Sequence, residues 1–235
     1  MPVARLRQVV AAVNGLAPDL VAVMGDYVAD HAFVTSAVPM EEVAQLLSAL
    51  RAPLGVHAVI GNHDWRADPE ARRRLQGPVA YARVLAEAGV SVLENDALRV
   101  EGGGQGLWVL GLGCQRVRRP GRAGPWQGVD DLPATLAQIT DDAPAILLAH
   151  EPDIFPQVPA RIALTIAGHT HGGQIRLAGW TPVVPSRFGS RYAWGHIREG
   201  GRDLVVSGGL GCSGLPLRLG RPPEVTVITL GEGLA

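Results

Sequence analysis

The chain of 235 residues contains no lysine, and all 21 of its basic side chains are arginine. Chemistry that needs a lysine amine, such as a Schiff base or a phosphate-binding P-loop, is thereby excluded. Cysteine is scarce. Cys114 and Cys212 stand far apart and in no CxxC or CxxH pattern, so neither a disulfide framework nor a cysteine zinc site is indicated and both read as reduced structural residues. Against 22 Asp and Glu the arginines leave a net charge of -1, without the basic excess of a protein that neutralises nucleic-acid phosphates. Rings for base stacking are few, with five Trp, three Tyr and three Phe. No run approaches the roughly 18 apolar residues of a membrane span, and the N-terminal stretch lacks a signal-peptide pattern. These absences predict a cytoplasmic protein that takes no nucleic acid. Association with a membrane surface is expected only if a further segment precedes Met1.

What is present suits one domain over 1–235: 47% of the residues are hydrophobic, enough to bury a full core at this length. Leu6, Val9, Val10, Val13 and Leu16 form one stripe of a helix over 5–16, followed by an apolar strand at 20–24. The pattern repeats with a helix at 41–50 and a strand at 55–60. A third helix is predicted over 71–88, a strand at 90–93, and a hairpin of 98–100 with 107–112 around Gly102-Gly103-Gly104. A fourth helix at 132–139 leads to strands at 145–149 and 163–167. Beyond His171 the short segments 193–198, 203–207 and 225–230 predict a second, mostly antiparallel sheet. Such alternation means an α/β protein, whose ligands bind beyond the carboxyl ends of its parallel strands.

Those ends are where the chemistry-bearing residues lie. Gly25-Asp26 follows the first strand, Gly61-Asn62-His63-Asp64 the second, His150 that at 145–149, and Gly168-His169-Thr170-His171-Gly172-Gly173-Gln174 that at 163–167. In extended backbone residues two apart point the same way, so His169 and His171 can reach one cavity. Singly, Asp26 reads as a turn residue and His150 as a core histidine; as an ordered set they read as ligands. One carboxylate, one amide and three imidazoles without a thiolate suit Mn, Fe or Zn. Two such cations about 3.5–4 Å apart can clamp a phosphoryl group and lower the pKa of a shared water, which points to phosphoester hydrolysis.

In these blocks the chain resembles the calcineurin-like metallophosphoesterases, whose ordered motifs are Asp-x-His, Gly-Asp, Gly-Asn-His-Asp/Glu, a lone His and Gly-His-x-His. The Gly-Gly-Gln after His171 and the stretch Gly209-Leu210-Gly211-Cys212-Ser213-Gly214-Leu215-Pro216 are similar to the bacterial envelope-associated branch that includes UDP-2,3-diacylglucosamine pyrophosphatase of lipid A biosynthesis. The resemblance implies a four-layer α/β/β/α sandwich and a dinuclear metal site, with manganese among its expected metals. It makes Asp26 the bridging carboxylate, places Asn62, His150 and His169 on one metal and His171 on the other, and gives His63 a catalytic role over the scissile phosphate, with Asp64 holding its ring. Asp-x-His is missing, and Asp30-His31 has the wrong spacing. The first strand is therefore expected to be absent, as in an N-terminally truncated domain, with a second metal kept only by Asp26 and His171 and weakly bound.

The implied reaction is hydrolysis of a phosphomonoester, phosphodiester or pyrophosphate by metal-activated water. Its substrate is expected to be small or lipid-linked, including a UDP-2,3-diacylglucosamine-like lipid precursor. The alternative is a catalytically impaired module that binds a single metal. Of the remaining features, His57 reads as packing, His31 and His196 as loop or surface residues, and Arg72, Arg73 and Arg74 as the polar face of the third helix. The run Arg116-Val117-Arg118-Arg119-Pro120-Gly121-Arg122 reads as a solvated loop ahead of a patch for an anionic ligand. Gly208-Gly209-Leu210-Gly211 fails as a nucleotide loop because turn residues, not a helix, follow it.

Overall fold

The computed structural model describes residues 1–29, 33–102, 105–121 and 124–231. Asp30-His31, Gly103-Gly104 and Arg122, singled out in the sequence, lie outside the described residues. The apolar stripe of α1 (Val3–Gly15) turns Leu6, Val10 and Val13 inward, and the chain then enters β1 (Val21–Val23). After α2 (Met40–Leu47) come β2 (Val56–Ala58), α3 (Asn62–Ala67), α4 (Pro69–Arg74), α5 (Ala80–Glu87) and β3 (Ser91–Val92). The three strands form a parallel sheet in the order β1-β2-β3, and Leu6, Val43, Leu47 and Leu85 pack with Ala58 and Ile60 as its outer core.

The second sheet has six strands: β4 (Asp96–Gly102), β5 (Gln105–Gly111), β6 (Ala145–Ala149), β7 (Leu164–Ala167), β8 (Gly195–Glu199) and β9 (Arg202–Val206), in the order β4-β5-β6-β7-β9-β8. Its central strand β6 is fully buried and shows the two-residue period of a sheet with two covered faces. Ala145, Leu147 and Ala149 meet Leu132 of α6 (Leu132–Leu136) and Ile154 of the 3₁₀ turn Pro152–Gln157. Ile146 and Leu148 instead join Val59, Leu93, Val109, Ala22 and Met24 in a core between the sheets. The result is four layers, helix, sheet, sheet and helix, as expected. Among the described residues no helix is long and apolar enough to cross a membrane.

Several expectations need correction. The helix foreseen over 71–88 is broken into α4 and α5, because Leu75 adopts a left-handed conformation at φ 55° and Pro78 soon follows, without an amide to continue a helical ladder. Asp68 spans the break. One of its oxygens caps α4 at Ala71 N and the other accepts from Ala80 N at the start of α5, each at 3.0 Å. The second sheet is mixed rather than mostly antiparallel: only β4–β5 and β8–β9 run antiparallel, and the other three pairings are parallel. Crossovers such as α6 return the chain to the same end of the sheet, which a hairpin cannot do. Residues 225–230 form no strand; Val225, Val227 and Leu230 are exposed, and Ile228 alone of them packs against the inter-sheet core. α3 is an addition to the sequence expectation: its six residues are too few to show a helical period beside the strand-end motif Gly61-Asn62-His63-Asp64.

Candidate metal centre

Four strand ends from both sheets converge. Val59 N bonds Val23 O at 3.0 Å beyond the β1–β2 ladder, and Gly168 N bonds His150 O at 3.0 Å beyond β6–β7, so Asp26, Asn62, His150 and His169 leave their sheets on one side. The sheets meet where His150 Nδ1 lies 2.5 Å from Met24 O. Two glycines permit the approach. A Cβ on Gly25 would lie 2.6 Å from Gly61 N, and one on Gly61 would lie 2.6 Å from Asp26 N, so no larger residue fits between these loops.

Asp26 itself sits at φ 58°, His169 at 65° and His171 at 54°. Left-handed backbone at three non-glycine residues costs free energy and persists only where surroundings enforce it. Asp64 is the enforcing group for the first. Its Oδ2 accepts from Asp26 N at 2.8 Å and Gly61 N at 2.9 Å, and its Oδ1 from Tyr27 N at 2.8 Å and Val28 N at 3.3 Å. Burial and then the nearby Asp26 charge push its carboxyl up to about 7, against the pull of those amides. The expectation that Asp64 holds the His63 ring is corrected: its carboxylate is spent on the backbone that presents Asp26.

Asp26, His150 and His169 each turn one ligand atom into a common space, all within 4.8 Å of one another. Asp26 Oδ2 lies 3.2 Å from His150 Nε2, and His150 Nε2 lies 3.2 Å from His169 Nδ1. With its Nδ1–H on the Met24 carbonyl, His150 turns Nε2 into this space, where a cation would take the place of a proton; His169 turns Nδ1 into it when its Nε2–H bonds Pro185 O at 3.0 Å. Outer carbonyls that fix ring tautomers in this way are typical of metal-ligating histidines. The buried Asn62 Oδ1 has no hydrogen-bond partner, and Asp26 Oδ2 faces only ring nitrogens, His150 Nε2 at 3.2 Å and His63 Nε2 at 3.9 Å. A carboxylate and two imidazoles gathered in this way, with an unsatisfied amide oxygen on the neighbouring loop, fit a divalent cation of borderline character.

Charge follows the same geometry. Burial opposes a proton on His150, yet the Asp26 carboxylate more than offsets it and raises the ring to about 10. Asp26 moves the other way: burial resists its charge, and His150 holds it well below the usual carboxylate range. Burial, then the charge of His150, keeps His169 neutral.

His171 stands outside the three-residue cluster, 3.5 Å from Arg218 Nη2; burial drives it down to about 4 although Asp26 pulls upward. His63 enters at the first turn of α3, its amide on Asp26 Oδ1 at 2.9 Å and its Nε2 3.9 Å from Asp26 Oδ2. Arg116 corrects the solvated-loop reading. It is half-buried, donates from Nη1 to Pro185 O, sets that nitrogen 2.9 Å from His169 Nε2, and lies over the Trp126 ring. Its position just past the carboxyl end of β5 was the signal available in the sequence. His57 and His196 lie elsewhere, the first on Leu54 O at 2.8 Å and the second on Asp203 at the surface.

Proteins of similar sequence include several metallophosphoesterases. Metallophosphoesterase YkuE of Bacillus subtilis (strain 168) is 30% identical over 227 residues, covering 96% of this chain and 72% of that protein. Phosphodiesterase YaeI of Escherichia coli (strain K12) is 29% identical, covering 91% and 70%. A transmembrane protein with metallophosphoesterase domain from Danio rerio is 27% identical, covering 97% of this chain but 49% of its own length. Residues 3–173 match the calcineurin-like phosphoesterase family, from α1 through both histidines of the last motif, and the chain belongs to that family.

Proposed function

We propose that the chain hydrolyses a phosphoric ester at the Asp26–His150–His169 centre, with water as the nucleophile. The observation that carries this reading is the gathering of one ligand atom each from Asp26, His150 and His169 within 4.8 Å of one another, with the buried Asn62 Oδ1 left without a hydrogen-bond partner. Asp26, Asn62, His150 and His169 would hold one divalent cation, and Asp26 with His171 a second, weaker one. Bound there, a cation such as Mn supplies Lewis-acid stabilisation of the phosphoryl oxygens and lowers the pKa of water.

The protein groups do the rest. His63 stands beside Asp26 Oδ2 and protonates the leaving alkoxide, a role worth about 10²–10⁴-fold in rate. Arg116, already oriented by the Pro185 carbonyl and the Trp126 ring, offers a planar donor pair to the phosphoryl oxygens. Asp64 keeps Asp26 in its left-handed turn. The substrate is a small or lipid-linked phosphomonoester, phosphodiester or pyrophosphate, with a UDP-2,3-diacylglucosamine-like precursor as one candidate. Near-neutral charge and few aromatic rings favour this class over nucleic acid.

The test is turnover of an aryl phosphodiester in Mn²⁺, with bound metal counted in parallel. Turnover that disappears in Asp26→Asn, and falls at least a hundredfold in His63→Ala with metal retained, supports the enzyme. One tightly bound metal with no turnover establishes the single-metal binding module instead.

A further inference from the structure

The surface that adjoins the metal centre is apolar and cationic, on a chain with a net charge of -1. From His171 the backbone continues into 174–183, and residues 213–219 fold against it. Arg176 N donates to Leu219 O at 2.7 Å, Leu219 N to Gln174 O at 3.0 Å, and Gln174 Nε2 to Leu215 O at 2.9 Å. On this platform Leu177, Trp180, Val183, Leu215, Leu217 and Leu219 are between 46% and 71% exposed. Scattered exposed apolar residues are ordinary, but six on two hydrogen-bonded segments mark a surface that meets something.

Its tip is built against convention. Leu177 and Trp180 exchange both backbone hydrogen bonds, at 2.9 and 2.8 Å, around Ala178 and Gly179 at φ 47° and 88°. A two-residue turn with positive φ at both positions ordinarily carries Asn-Gly or Asp-Gly. Here the projecting turn reads Leu-Ala-Gly-Trp, with a strained alanine and no polar side chain where water would be met.

Charge is one-sided as well. Neither 171–198 nor 204–223 contains an Asp or Glu, and Glu224 just beyond accepts from Trp194 Nε1 at 2.8 Å and Gly208 N at 2.7 Å. Arg187, Arg191 and Arg198 pair with acids from outside those stretches. Arg176, Arg218 and Arg221 enter no salt bridge among the described residues; Arg218 is turned inward on the Gly208, Gly211, Arg221 and Pro222 carbonyls, and Arg221 donates to the Gly172 carbonyl. Arg221 also lies 4.1 Å over the half-exposed Trp194 ring.

We infer that this platform docks on an anionic lipid surface, with Leu177 and Trp180 entering the headgroup–acyl boundary and Arg176 and Arg221 facing the headgroups. A projecting Leu/Trp turn rimmed by arginines matches an interface that is apolar in depth and negative at its surface. The docking stands on the surface alone. Its use, bringing the centre to a lipid-borne phosphoester, rests on the proposed function.

Sedimentation of the full chain with vesicles tests it. The chain is expected to bind phosphatidylcholine vesicles that contain phosphatidylglycerol, and to bind vesicles of phosphatidylcholine alone weakly. Leu177→Ser with Trp180→Ser lowers the partition coefficient by roughly tenfold or more, Arg176→Gln by about fivefold, and Trp180→Phe leaves it near the original. Thermal unfolding of these exposed-site variants should be unchanged, as should any turnover of a soluble aryl phosphodiester. Equal binding to neutral vesicles, or full binding by the double variant, overturns the inference. So does self-association abolished by the same substitutions without vesicle binding, which would assign the platform to a protein interface. Vesicle binding with no phosphoester turnover would overturn the proposed function while leaving the docking in place.

Discussion

Replacing Gly61 by alanine tests whether the close approach of the β1 and β2 loops is what assembles the metal centre. Gly61 has φ -97°, which any residue adopts, so the backbone itself accepts alanine. The cost is purely steric. The new methyl would stand 2.6 Å from Asp26 N and 2.8 Å from Asp26 Cγ, whereas ordinary carbon contacts begin near ~3.5 Å. Backbone lines one side of this gap and cannot swing away, so the Asp26 loop must move by more than about 0.5 Å, the tolerance of a preorganised site. Overpacking of this kind costs about 1–3 kcal/mol, which for a domain of this size lowers the melting temperature by about 3–9 °C. Because the amide of Gly61 also serves Asp64, the support of Asp26 weakens together with its position, and Mn²⁺ affinity should fall by about 10–100-fold. Gly15 is the control, since a Cβ there meets nothing within 4 Å and its φ is not positive; alanine at Gly15 should be neutral or slightly stabilising. Calorimetric melting and metal titration of both variants decide the matter. A Gly61→Ala protein that melts with the parent and binds Mn²⁺ as tightly would refute the claim that the two loops are in steric contact.

Other expectations follow from the same structure. Asp64→Ala leaves the four amides of Asp26, Tyr27, Val28 and Gly61 without their acceptor, so it should lower stability by about 2 kcal/mol or more and weaken metal binding; His63→Ala should do neither, and urea unfolding beside metal titration separates them. Asp68→Ala removes the cap of α4 and the link to α5, costing about 1–2 kcal/mol at neutral pH. The amide bonds of Ala71 hold this carboxyl below its usual range. Its contribution is therefore full above the unfolded carboxylate pKa and lost as pH falls through the lower folded value, so the gap between parent and variant should close in acid. Leu148→Ala opens a cavity between the sheets and should cost about 2–5 kcal/mol in urea unfolding; a loss under 1 kcal/mol would mean that the two sheets do not share a packed core.

The sequence determined much of this by itself. Alternating helix and strand periods gave the parallel layers, because burial on two faces demands apolar runs and the crossovers demand amphipathic helices. Placement of Gly-Asp, Gly-Asn-His-Asp, His and Gly-His-x-His at strand ends marked the cluster, since parallel strands deliver their carboxyl ends to one side. Tertiary structure decided what period and spacing do not encode. Nothing near Asp64 in sequence shows that its carboxylate would clasp Tyr27 and Val28, nor that Met24 would fix the tautomer of a histidine 126 residues on. Arg116 looked like one charge in a solvated run until folding set it beside His169. The strand pattern at 225–230 found no ladder, because pairing depends on an available partner edge and not on alternation alone. Local residue chemistry thus named the family and the centre. Contacts between residues far apart in the chain settled how each ligand is held, because such contacts exist only once the two sheets have closed on their shared core.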